Sequence, residues 1–383
     1  MQKFKIPLFR PIFDDEMLNA VIGAFTKERF LRGESVREFE REFAEFIGSE
    51  FAIAVNSGTS ALLISLRSLN LDSGDLIITP SASFIATTNA ILMSGARPLF
   101  VDIEPDTYNI NVDLVRESCE KFRGKVKGIL PVHLYGRPIS RMKELIEIAE
   151  DYNLFLLEDC AQAVGATYLD DKKVGSSSDA GAFSFYISKN LSVCGDGGMI
   201  TTNDPTVYRI ASELRDIGIK ENWDRIAYTA RMHSSLAAIG RIQLRNLEDW
   251  NRKRRDLARI YIQKLAPLNI ITPPPDEKGC KSVFHLFTIQ VNPEYRKQII
   301  EFLSNYGIQT KIHYPIPIHL QEHIKKTDLP IQPLPETEKW SRTILSLPMF
   351  PQLTKKEIGY ICSKLEVILS KLALSESGDG VPK

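Results

Sequence analysis

Cysteine is scarce in this chain: five are spread over 383 residues, with no CxxC pair and no histidine at ligand spacing from any of them. That scarcity argues against a disulfide framework and against a structural zinc site, and no bound metal is expected. A reducing cytoplasm is the simpler setting. Excess charge is missing too, since Lys plus Arg and Asp plus Glu each number 48. Without a net positive field, nothing draws in nucleic acid or an anionic membrane. No run approaches the roughly 18 apolar residues of a membrane span. Met1-Gln2-Lys3-Phe4-Lys5 has no long apolar stretch behind it, so no secretory leader is expected either. The one basic cluster, Arg252-Lys253-Arg254-Arg255, lies in a helix-like run with Asp249 and Asp256 and reads as a solvated face.

At 43% hydrophobic residues the chain can bury a large core. Single cores stop growing near roughly 250–300 residues, so two lobes are expected. Between about residues 50 and 205, short β-rich runs alternate with helical patterns. The runs are FAIAV (51–55), DLIITP (75–80), RPLFVDI (97–103), VKGILPV (126–132), LFLLED (154–159), AGAFSF (180–185) and GMITTN (198–203). Such alternation predicts an α/β domain with a mainly parallel sheet and a ligand crevice at the carboxyl ends of its strands. Longer helices are expected at about 231–247 and 248–265, then a mixed region with FHLFTIQV and a closing helix near 354–371. The large domain is assigned to 31–254 and a smaller one to 1–30 with 255–375. The tail 376–383 reads as disordered.

Three stations in this order carry chemistry. Asn56-Ser57-Gly58-Thr59-Ser60 follows a strand and opens a helix, which suits a phosphate, although Ser and Thr also serve there as plain caps. Asp159 ends the apolar run LFLLE, at the mouth of the crevice, with Gln162 three residues on; a cap for the next segment is the alternative. Lys189 stands in the apolar and small-residue stretch FSFYISKNLSVCGDGG, where an isolated ammonium is costly unless it is partnered or reactive. A phosphate cradle, an acid and a nucleophilic lysine are what a protein supplies to pyridoxal 5'-phosphate.

The motifs NSGTSAL (56–62), SFIATTNAIL (83–92), VHLYG (132–136), EDCAQAVGA (158–166), FSFYISKNLSVCGDGG (183–198), RMHSSLAAIGRIQL (231–244), IHYPIPIHLQ (312–321) and LSLPMFP (345–351) resemble, in register, the DegT/DnrJ/EryC1/StrS family of pyridoxal-phosphate nucleotide-sugar aminotransferases. The resemblance covers about residues 8 to 371. It implies an aspartate-aminotransferase-like fold of type I, and a homodimer with active sites between subunits. Lys189 would form the Schiff base and Asp159 would face the pyridine nitrogen. Gln162 would lie near the ring oxygen and Phe84 would stack on the ring. Gly58, Thr59 and Ser184 would bind the phosphate, with Ser60 beside them. The family's cross-subunit asparagine is replaced here by Thr229, whose shorter hydroxyl puts that phosphate contact in doubt. Arg231, His313, Tyr314 and His319 resemble substrate-side residues, each with a structural alternative; His133 could equally be a core residue.

Retention of lysine at position 189, where dehydrating relatives carry histidine, points to transamination. An amino acid, L-glutamate foremost, would leave its nitrogen on the cofactor as pyridoxamine phosphate, to be passed to a keto group of a nucleotide-linked deoxysugar. Two alternatives stay open: a fold-type I enzyme acting on a ketocyclitol or amino-aromatic precursor, and a regulator that keeps the fold without catalysis.

Overall fold

The apolar runs become strands because both faces of the sheet they form are covered. The structure is a computed structural model and describes residues 4–376 except 70, 169–170, 219–225, 269, 328 and 331. The main strands are β1 (Phe51–Val55), β2 (Leu76–Pro80), β3 (Arg97–Val101), β4 (Val126–Ile129) and β5 (Phe155–Asp159). A small ribbon of β6 (Thr167–Tyr168) and β7 (Lys172–Lys173) follows, then β8 (Ala180–Ser184) and β9 (Gly198–Thr202). Seven of these form one sheet in the order β1-β9-β8-β5-β4-β2-β3. Only β9 runs antiparallel to its neighbours. The other six therefore present their carboxyl ends along one edge.

Alternate residues of each strand feed opposite faces. Ile53 and Val55 join the cluster under α3 (Gly58–Ser68), α4 (Ile85–Ser94) and α7 (Pro205–Arg215). Ala52 and Ala54 face α2 (Glu34–Ile47), α5 (Val112–Lys121), α6 (Met142–Asp151) and the first half of α8 (Ser234–Leu265). A parallel sheet sandwiched in this way needs nearly continuous apolar strands, as the fully buried β2 and β9 show.

A separate cluster joins Ile6 to the last turns of α8, the antiparallel pair β10 (Phe287–Gln290) and β11 (Ile344–Leu347), α9 (Arg296–Asn305) and α12 (Lys355–Glu376). Two short helices, α10 (Glu322–Lys325) and α11 (Pro335–Thr343), precede β11 and lean on the main sheet: Ile324 packs with Phe100 of β3, and Thr337 bonds Asp102 just after that strand. The N-terminal helix α1 (Asp15–Lys27) packs Met17 against Ile239 and Ile242, in the first half of α8. Of the tail expected to be disordered, Glu376 ends α12 and 377–383 lie outside the described residues.

Two expectations need correction. Residues 234–265 form one 32-residue helix rather than two. Glu248-Asp249-Trp250 contains no proline or glycine to break it, and Leu247 and Asn251 on either side are both buried. Nor is the basic cluster wholly solvated. Arg252 and Lys253 pair with Asp249 at the surface, but Arg254 is buried and donates through Nη1 to the carbonyls of Phe284, His285 and Met349.

Candidate active site

The carboxyl edge of the sheet gathers most of the expected residues. Ser57 caps α3, accepting from the Ser60 N–H at 3.1 Å and donating to the Ser60 hydroxyl at 3.0 Å. The N–H groups of Gly58 and Thr59 keep no partner among the described residues. A Cβ on Gly58 would lie 2.7 Å from Ser184 Cβ and 3.1 Å from its Oγ, so the start of α3 and the end of β8 touch. Free amides at a helix start, flanked by the hydroxyls of Thr59, Ser60 and Ser184, fit a phosphate dianion.

Asp159 ends β5 and is buried. Its Oδ2 accepts from Thr87 Oγ1 at 2.8 Å and its Oδ1 from the Ala161 N–H at 3.1 Å. Burial raises its carboxyl above the usual range, opposed by those two bonds and by the field of Lys189. Thr87 is oriented in turn by Ser83, 2.8 Å away. A carboxylate held this way lacks only a cation, and a protonated ring nitrogen supplies one.

Lys189 follows β8 and is partly buried, its N–H donating to the Tyr186 carbonyl at 2.8 Å. Burial pulls its amine down to about 8, against the raising field of Asp159. Its Nζ makes no hydrogen bond among the described residues. An amine with that pKa offers a substantial neutral, nucleophilic fraction near pH 7.

The wall beyond is ordered by a network. Gln162 accepts the Tyr135 N–H at Oε1, 2.8 Å, and donates from Nε2 to the Tyr314 hydroxyl at 3.1 Å. The Tyr135 hydroxyl donates to the His313 carbonyl and accepts from Trp340 Nε1 at 3.0 Å. Phe84, the residue before α4, is 52% exposed and lies 5.7 Å from the Tyr314 ring. A half-exposed aromatic on a buried strand edge is what a stacking platform requires. His313 bonds Ser346 Oγ through Nδ1 at 2.9 Å, and burial, with Lys311 and Lys189, brings it down to about 4. His319 is turned away, its Nδ1 2.7 Å from Ser81 Oγ and its Nε2 3.7 Å from Glu338.

Thr229 and Arg231 lie on the far side of the cradle. Arg231 bridges Val55 and pairs with Asp216 at 3.2 Å, an acid that also pairs with Arg32, so its charge is already engaged. The Thr229 side chain is exposed, while its carbonyl accepts from Asn56 Nδ2 at 3.4 Å. An open pocket of about 400 Å³ runs here, lined by Asn56, Ser57, Asp196, Arg231 and His233 among others.

Sequence reading overlooked Thr87, Tyr135 and His285. Thr87 was visible three residues after Phe84, within the first turn of a helix, where its hydroxyl faces the crevice. Tyr135 and His285 gave no comparable signal. Nor did spacing reveal that His133, Glu158 and Cys160 meet within 4.8 Å. That trio is occupied by the fold: Glu158 accepts from His133 Nε2 at 2.8 Å, the Gly175 N–H at 3.0 Å and Ser178 Oγ at 2.6 Å.

A mainly parallel seven-stranded sheet with a buried acid and a depressed lysine amine at its carboxyl edge defines a fold-type I aminotransferase architecture. Residues 11–366 match the DegT/DnrJ/EryC1/StrS aminotransferase family, and the chain belongs to it. It is 36% identical to the dTDP-3-amino-3,4,6-trideoxy-alpha-D-glucose transaminase of Streptomyces venezuelae, over 88% of both chains. Among solved structures it is similar to S. venezuelae DesV in complex with a ketimine intermediate, with TM-score 0.88 and 33% identity over 95% of this chain and 98% of that one. It is also similar to NtdA from Bacillus subtilis with bound cofactor PMP, with TM-score 0.84 and 31% identity over 96% of this chain and 88% of that one.

Proposed function

We propose that this chain transfers an amino group from an amino acid, L-glutamate foremost, to a keto group of a nucleotide-linked deoxysugar. The observation that carries this is the depressed amine of Lys189 in the electrostatic field of the buried Asp159, on the edge that also bears the phosphate cradle.

The residues fit pyridoxal 5'-phosphate. Gly58, Thr59, Ser60 and Ser184 would hold its phosphate, Asp159 would partner its ring nitrogen, Phe84 would stack on the ring, and Gln162 would serve the ring oxygen. Bound there, it supplies a carbonyl carbon that condenses with amines and a ring that accepts electrons. Asp159, fixed by Thr87, holds a proton at the ring nitrogen. Lys189 Nζ would take the proton from the donor α-carbon and hand it to the cofactor carbon that keeps the nitrogen. Tyr135 and Trp340 hold the His313–Tyr314 segment as the substrate-side wall.

The active form is a homodimer. Leu18, Ile22 and Phe25 make an exposed stripe on the outward face of α1, continued by Phe30 and Leu31 towards Arg32 and the cradle side. Contiguous apolar exposure of that kind fits burial against a second copy. Among the described residues no helix is long and apolar enough to cross a membrane; the free thiols of Cys119, Cys160, Cys194 and Cys362 support a reducing setting, the cytoplasm.

The test is incubation with ¹⁵N-glutamate and a panel of dTDP-, UDP- and GDP-linked keto sugars. Labelled amino sugar from at least one of them is expected. Transfer to a ketocyclitol and to no sugar would overturn the substrate assignment.

A further inference from the structure

His285 is a buried histidine for which the site described so far has no use. It is 6% exposed, and its Nδ1 is buried with no hydrogen-bond partner. An orphaned polar atom of this kind costs free energy, so it is expected to have a partner in some working state of the protein.

The segment that carries it is clamped against the lysine loop. Asn190, the residue after Lys189, donates through Nδ2 to the Val283 carbonyl at 3.0 Å and to Asn251 Oδ1 at 2.8 Å. Arg254 holds the Phe284 and His285 carbonyls from α8 at 3.1 and 3.4 Å. From the third side comes Gly136, where an added Cβ would meet the His285 N at 2.8 Å and the Gln162 carbonyl at 2.9 Å. Its φ of 88° also belongs to glycine. His285 thus sits between the lysine loop and the residue that orients Tyr314.

The charges around the ring set its protonation. Burial, then Lys189, Arg254 and His313, hold the imidazole well below its ordinary pKa. A neutral imidazole keeps one ring nitrogen as an acceptor. Lys189 Nζ, likewise without a hydrogen bond among the described residues, is a donor. An unsatisfied acceptor and an unsatisfied donor thus flank the Asn190–Val283 clamp that joins their two segments.

We infer that His285 is a positioning residue for Lys189: its buried ring nitrogen accepts a hydrogen bond from the lysine amine whenever that amine is not covalently engaged. The inference rests on the reading of Lys189 as the lysine that bonds the cofactor and is then released. A released amine on a four-carbon stem samples many rotamers, and one acceptor within reach keeps it near the carbon whose proton it moves.

The test uses the full chain freed of cofactor. Lys189 is labelled by reductive methylation across pH 6–11 and its peptide is quantified by mass spectrometry. Asp159 from β5 raises this amine, and the amine in turn lowers His285, in the segment before β10, and His313. Removing an acceptor weakens the ammonium more than the amine. The labelling midpoint therefore falls in His285→Leu by about one pH unit, a tenfold rise in free amine at a given pH. His285→Gln, which retains an acceptor, stays within a few tenths of the parent. A leucine variant that superimposes on the parent, or a glutamine variant displaced as far as the leucine one, would overturn the inference. Should the leucine variant fail to fold, ¹⁵N-histidine spectra decide: the His285 ring resonances must shift on Lys189→Met, and unchanged resonances refute the contact. Borohydride fixation of pyridoxal phosphate in the parent protein is a separate control. Its failure at Lys189 would sink the cofactor reading, whereas the labelling comparison would still stand.

Discussion

Thr87 Oγ1 donates to Asp159 Oδ2 across 2.8 Å, joining the first turn of α4 to the end of β5. The bond ties an acid that burial pushes towards neutrality to a hydroxyl that favours its charge. Hydrogen bonds to ionised groups contribute roughly 1.5–3 kcal/mol. Replacing Thr87 with Val keeps the shape and removes the donor, so the Asp159 carboxyl rises further. A raised carboxyl protonates at higher pH, and the acid limb of the rate profile should move upward. A profile that coincides with the parent would show that Thr87 does not set the charge of Asp159.

Gly58 admits no side chain. Its Cβ would stand 2.7 Å from that of Ser184 and push the start of α3 away from β8. Gly58→Ala should therefore weaken cofactor binding at least tenfold and also lower the melting temperature of the cofactor-free protein. Equilibrium titration followed by absorbance measures the first and calorimetry the second.

Lys189 gives a stability prediction with a definite sign. Its folded amine sits at about 8, below the ~10.4 of an unperturbed lysine. Below pH 8 both folded and unfolded chains carry the proton, and the full penalty for burying the charge applies. Between about 8 and ~10.4 the unfolded chain holds more protons, so stability of the cofactor-free protein rises with pH across that window. Lys189→Met should remove the slope and be more stable at pH 7, while activity falls by about 10²–10⁴-fold or more, the range for loss of a proton-transfer group. Urea melts at pH 7, 9 and 10.5 provide the check.

Tyr135 links Gln162, Trp340 and the His313 carbonyl. Tyr135→Phe leaves a buried indole N–H and a carbonyl without their partner, at a cost of about 1–3 kcal/mol. The His313–Tyr314 wall should loosen, so KM for the sugar substrate rises while kcat changes less. An unchanged KM would mean that the wall is held by Gln162 and Ser346 alone.

Much of the site can be read in the chain because its chemistry is local. Asp159 and Ser184 are the last residues of their strands, and Gly58 follows close on the end of β1, so parallel pairing brings all three to one edge. The same logic missed the halves of the network that come from elsewhere. Trp340 and His313 reach Tyr135 from about 180–205 residues away, and no periodicity links them. Arg254 looked like its charged neighbours because a helical pattern states a period, not which turn meets another segment. Arg231 was a candidate for substrate until Asp216 took up its charge.

Strand order of apolar runs, the glycines that permit close approach and the lone lysine in an uncharged stretch were set by residue type, because backbone propensity and the cost of burying charge act within a few residues. Which polar groups found partners was decided only in three dimensions. Thr87 met Asp159, Arg254 met three carbonyls and the His285 ring was left unpaired because long-range packing, not adjacency, allocates hydrogen bonds inside a core.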